Sequence, residues 1–64
     1  MSAQYRKVPY HVKRQITENG RMHYIVFVDG RQPTIIRREG KYFFVHGNFH
    51  RTLRDAIIYV VYGV

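Results

Sequence analysis

Hydrophobic and polar positions alternate from Tyr10 to Thr17, "YHVKRQIT". Tyr10, Val12 and Ile16 fall on one side and His11, Lys13, Gln15 and Thr17 on the other, with Arg14 interrupting the apolar side. A period of two marks a half-buried strand. The following "ENGR" holds Asn19-Gly20, the strongest short hairpin signal, because both central residues of a type I′ turn take positive φ. Met22 to Val28, "MHYIVFV", is apolar on both faces, as a central strand is. A turn at "DGRQ" leads into a short third strand from Thr34 to Arg38, with Pro33 tolerated at its start. "REGK" then turns the chain into a fourth strand, Lys41 to His46, and "GNF" breaks the pattern.

The last segment, "RTLRDAIIYVVYGV", carries two signals. Ile57 to Tyr62 is all β-branched or tyrosine, which favours a strand. Against this, Thr52 and Asp55 have capping-box spacing, with Asp in place of Glu. Leu53, Ala56, Ile57, Val60 and Val61 recur at helical spacing, and Gly63 is a natural stop. Intrinsic propensity is the weaker prior, so the expectation is a helix.

Directly opposed residues of antiparallel strands share a face. A two-residue Asn19-Gly20 loop sets Ile16 against His23, Arg14 against Ile25 and Val12 against Phe27. An even-length turn at Asp29-Gly30 and a Glu39-Gly40 loop carry the parity onward. The expected core face is then Val12, Ile16, Ile25, Phe27, Ile36, Phe43 and Val45. The opposite face collects His11, Lys13, Gln15, Tyr24, Val26, Val28, Arg31, Ile35, Arg37, Tyr42, Phe44 and His46. The expected fold is α+β: a four-stranded antiparallel β-meander with a single C-terminal helix packed on one face. Residues 1–9 read as a basic N-terminal arm and residues 10–64 as a single small domain.

Composition narrows what such a fold does. A chain of 64 residues makes one domain, and one this small buries only about 60% of its unfolded surface. There is no cysteine, which excludes disulfides and thiolate zinc sites and fits a reducing compartment. With 45% apolar and aromatic residues the chain is too hydrophobic to be disordered. Eleven Lys and Arg stand against four Asp and Glu, for a net charge of +7 and a pI near 10.3. Eight of the cations are arginine, the better residue for bidentate phosphate contacts. A domain this basic commonly meets nucleic acid, an anionic membrane or an acidic protein. The longest apolar run, Ala56 to Tyr62, is far short of the ~20 residues that span a bilayer, and the N-terminus has no apolar stretch. The expectation is therefore a cytoplasmic protein without a membrane partner, nucleoid-associated, or nuclear in a eukaryotic host.

Catalytic chemistry is not expected. Glu18, Asp29 and Glu39 fall in predicted turns and Asp55 in the helix cap, so no carboxylate pair forms for acid–base work. No glycine-rich phosphate loop occurs, and no cofactor is implied. "HGNFH" places His46 and His50 four apart, but across a loop and without acids or thiols beside them, so no metal site is assigned. The four histidines read as surface or half-buried groups.

The cations cluster at Arg6-Lys7, Lys13-Arg14, Arg37-Arg38 with Lys41, and Arg51 with Arg54. Any one pair reads equally as a solvated edge, since edge strands carry Lys and Arg against aggregation. Arg37, Lys41 and Tyr42 stand out because they share a hairpin with exposed aromatics. The expected nucleic-acid-binding set is Arg6, Lys7, Lys13, Tyr24, Arg31, Arg37, Arg38, Lys41, Tyr42, Phe44 and Arg51. Val26, Val28, Ile58 and Tyr62 find no cover in this arrangement. Apolar surface of that kind marks interfaces, so they are assigned to self-association as a homodimer.

The hairpins followed by a helix, with "GKYFFV" after a basic turn and "TLRDAIIYV" closing the chain, resemble small sheet-plus-helix DNA-binding domains. Those of phage integrase arm-binding and plant AP2 type share this order, with one strand fewer than expected here. The resemblance is one of architecture, and the compact, basic, cysteine-free style suits a phage or mobile-element protein. The expected function is that of a non-catalytic nucleic-acid-binding accessory or regulatory factor. The alternative is a protein-interaction module or inhibitor that docks its basic, aromatic sheet face onto an acidic host protein.

Overall fold

The computed structural model describes residues 8–63. Its elements are β1 (Tyr10–Ile16), β2 (Met22–Val28), β3 (Thr34–Glu39), β4 (Tyr42–Val45), β5 (Asn48–His50) and α1 (Leu53–Tyr62). The strands form one antiparallel sheet in the order β1-β2-β3-β4-β5, and α1 lies against β4, β5 and β2. The class is α+β as expected, with five strands in place of four. Arg6 and Lys7, and most of the expected arm, lie outside the described residues.

The helix follows its sequence signals closely. Thr52 is extended (φ −129°) and its Oγ1 accepts the Asp55 N–H at 3.0 Å, which satisfies one of the unpaired donors of the first turn. Gly63 takes the left-handed conformation (φ 78°) and donates its N–H to the Tyr59 carbonyl at 2.8 Å, ending the helix. Ala56, Val60 and Val61 are buried, with Leu53 and Ile57 packed beside them. Thr52→Ala is expected to cost about 0.5–2 kcal/mol through loss of the cap. Urea denaturation checks this, and an unchanged midpoint would show that the cap contributes nothing.

The fifth strand begins where the expected pattern broke. His46 and Gly47 both have positive φ, 51° and 80°, and join Val45 to its partner Asn48. Two left-handed central residues are the signature of the type I′ turn. His-Gly, not Asn-Gly, supplies it here.

At Asn19-Gly20 only Gly20 is left-handed (φ 79°). The Thr17 carbonyl accepts the Gly20 N–H at 2.9 Å, and the Thr17 N–H donates to the Arg21 carbonyl at 2.8 Å. This is a type I turn followed by a glycine bulge, one residue longer than the expected loop. A single extra residue turns every side chain of the next strand to the other face. Val12 therefore opposes Val26, and Arg14 opposes Tyr24. The connection from β2 to β3 changes parity again, pairing Val26 with Thr34 and Tyr24 with Ile36. The faces of β1, β3 and β4 are as expected, and β2 alone is inverted.

The core accordingly consists of Val26, Val28, Ile36, Val45, Ala56, Val60 and Val61. Val26 and Val28, assigned from sequence to self-association, lie under the helix at 0% and 5% exposure. That is a correction, and the inverted β2 is its cause. Ile58 is half-buried on the helix. Ile25 and Phe27, expected in the core, move to the face away from the helix.

Candidate functional site

The face that α1 leaves open is built by cross-strand rows. One row crosses the whole sheet: Gln15 opposes His23, His23 opposes Arg37, Arg37 opposes Phe44, and Phe44 opposes Phe49. A second runs from Lys13 through Ile25 to Ile35, and His11 pairs with Phe27 beyond it. Glu39 and Tyr42 pair beside the β3–β4 turn.

Aromatic packing ties the β4–β5 end together. The rings of Phe44 and Phe49 lie 4.8 Å apart, and those of Tyr42 and Phe49 meet edge-on at 6.2 Å. The Arg37 guanidinium sits 4.9 Å from the Phe44 ring centre, and its Nε lies 3.5 Å from Glu39 Oε2. At an exposed site the ring contact contributes about 0.5–1 kcal/mol and the ion pair about 0–1 kcal/mol. Neither binds Arg37 strongly, but together they keep its guanidinium over the Phe44 ring. At the other end His11 stacks on Phe27 at 4.7 Å. Phe49 is 62% exposed, Ile35 50% and Tyr42 46%. The result is an apolar face with Arg37 at its middle, on β3, and Lys13 at its β1 edge.

Of the expected nucleic-acid set, Lys13, Arg37, Tyr42 and Phe44 come together on this face. The others do not join them. Tyr24 is on the helix side, half-buried and edge-on to Phe43 at 5.9 Å. Arg38 is also on that side, with its guanidinium 5.7 Å from the Phe43 ring and its Nε donating to the Gly40 carbonyl at 3.2 Å. Lys41 sits in the turn between β3 and β4, and Arg51 in the link to the helix. Arg31 has a different employment. Its Nη1 donates to the Val60 carbonyl at 3.0 Å and its Nη2 to the Val61 carbonyl at 3.2 Å. Those are carbonyls of the last helical turn, which carries no basic residue of its own.

Ile25, Phe27 and Phe49 were not assigned to a site from sequence. Nothing in the period of β2 marks which of its two apolar faces is outward. Phe49 became visible only with the His46-Gly47 turn. Among the described residues no group of three or more His, Cys, Asp or Glu is placed to hold a metal, and no helix is long and apolar enough to cross a membrane. His46 and His50 both lie against Tyr59, at 6.0 and 5.0 Å, and His50 Nε2 is buried without a hydrogen-bond partner.

Residues 1–62 match the family described as Bacteriophage N4 DNA replication inhibitor. The chain belongs to that family. No curated protein and no solved structure matches it. Membership makes this a phage-encoded accessory or regulatory protein, as its small, basic architecture led one to expect.

Proposed function

We propose that this replication inhibitor family member acts by docking, without catalysis. Its open sheet face seats on an acidic surface of a replication protein and withholds that protein from its work. The observation that carries the reading is the Arg37–Phe44–Phe49 row, with exposed Ile35 and Tyr42 around it. Aromatic and arginine anchors in an apolar centre are the anatomy of protein interfaces. The net charge of +7 favours an acidic counterpart and speeds encounter with it.

The test is capture of replication proteins from host lysate treated with nuclease. The wild type is expected to retain an identified replication protein, and Phe49→Ala and Arg37→Ala each to weaken that complex about tenfold. Both side chains are exposed, so the variants stay folded. Capture that disappears with nuclease, or folded variants that bind undiminished, would reject docking through this face.

A nucleic-acid reading has one observation in its favour. Tyr42, Phe44 and Phe49 present rings beside Arg37 and Lys13, an arrangement on which single-stranded bases stack. Under that reading affinity falls steeply with salt, and each lost phosphate contact lowers the log–log slope by ~0.7. The scatter of the other cations over both faces places it second.

A further inference from the structure

The outer edge of β1 pairs with no described residue. Its hydrogen-bond phase is set at both ends. The Pro9 carbonyl accepts the Asp29 N–H at 3.4 Å, and the Thr17 N–H donates to the Arg21 carbonyl. Bonded positions alternate along an antiparallel ladder, so His11, Lys13 and Gln15 bond inward to β2. Tyr10, Val12, Arg14 and Ile16 then turn their N–H and C=O groups outward. Among the described residues this is a long edge of seven residues without a strand partner, of the kind that recruits another strand.

Its charges decide which strand. Lys13 is the middle residue of β1, and neither it nor Arg14 forms an ion pair with a described residue. Full-length antiparallel pairing with a second copy sets Lys13 opposite its own counterpart, and directly opposed like charges destabilise a ladder. An acidic residue at that position has the opposite effect. On the helix side, Val12 and the exposed Ile16 offer apolar neighbours to alternate residues of an incoming strand. We infer that the β1 edge receives an extended acidic segment of a partner protein as a sixth strand, with an acid side chain opposite Lys13 on the open-face side and apolar side chains opposite Val12 and Ile16 on the helix side. This rests on the reading that the chain acts through a protein partner, and it uses the sheet's edge in addition to its open face.

The probe is a blocked peptide of β1's own seven-residue length, alternating glutamate and valine, with a lysine-for-glutamate peptide as control. Amide exchange and chemical shifts are followed by NMR. The glutamate peptide is expected to protect the amides of Tyr10, Val12, Arg14 and Ile16, leaving His11, Lys13 and Gln15 at their existing protection. The lysine peptide should protect none. A synthetic chain N-methylated at the Arg14 nitrogen keeps its charge and its bonds to β2, and should bind about tenfold more weakly. Lys13→Glu should reverse the preference to the lysine peptide. Three outcomes would overturn the inference. One is no protection at millimolar glutamate peptide. Another is protection that appears without peptide as protein concentration rises, which would make the edge a self-pairing surface. The third is perturbation confined to Arg37, Phe44 and Phe49, which would leave open-face docking standing while removing the edge from it.

Discussion

Ile36→Ala is expected to unfold a large part of the population at 25 °C, while Ile35→Ala, one residue away, leaves stability within about 0.5 kcal/mol. Ile36 is fully buried, opposite Tyr24 on the helix side of the sheet, and Ile35 is half exposed on the other. Removing a buried isoleucine costs about 2–5 kcal/mol, part lost transfer and part residual cavity. A domain of this length holds about 3–10 kcal/mol in all, so the loss is comparable to the whole. The surroundings have little capacity to collapse into the gap, because Val26, Val45 and Val61 are themselves fully buried β-branched residues. Urea denaturation followed by circular dichroism reads both variants directly. Equal costs at the two positions would mean that the open face is buried as well, by a partner or a second copy. A reversed ranking would put the helix on the wrong side of β3.

The same physics explains what was legible in the chain. The helix declared itself because its signals are local. Thr52, Asp55 and Gly63 act within one turn of where they stand, and they outweighed the strand propensity of "IIYVVY". Arg37, Tyr42 and Phe44 were placed on the open face correctly, although the β3–β4 pairing slid by two residues. Arg37 opposes Phe44 in place of Tyr42, and a slide of two preserves every face. β2 had no such protection. An alternating strand would have exposed a slip of one residue, but "MHYIVFV" is apolar on both sides and reads as well in either orientation. The Asn19-Gly20 pair did not decide it either. A type I′ turn and a type I turn with a glycine bulge both require a left-handed Gly20, and they differ by the one residue that inverts the strand. Val26 and Val28 were consequently sought on the surface, and Phe27 in the core.

Arg31→Ala is expected to destabilise the fold by about 1–2 kcal/mol, lowering the melting temperature by about 5–15 °C. In the sequence Arg31 is one cation among eleven, in a loop, and looks like a phosphate contact. In the fold it reaches the carbonyls of Val60 and Val61, which lack partners within the helix because the chain ends its turns there. The Gly63 N–H takes the Tyr59 carbonyl, so the glycine and the arginine divide the helix terminus between them. A positive charge at that end also opposes the helix dipole, whose negative pole is otherwise met by no basic residue of the last turn. Arg31→Lys should recover only part of the loss. It restores the charge, but a lysine ammonium does not match two adjacent carbonyls with a rigid planar fork. If Arg31 served partner binding instead, alanine would weaken capture of that partner and leave the melting temperature unchanged, and Lys would rescue according to charge alone. Thermal unfolding of the three chains at low and high salt separates the roles. The dipole contribution shrinks with salt, and the two partly buried hydrogen bonds largely persist. A melting temperature that is the same for Arg31, Lys and Ala would remove Arg31 from the helix terminus and return it to the surface.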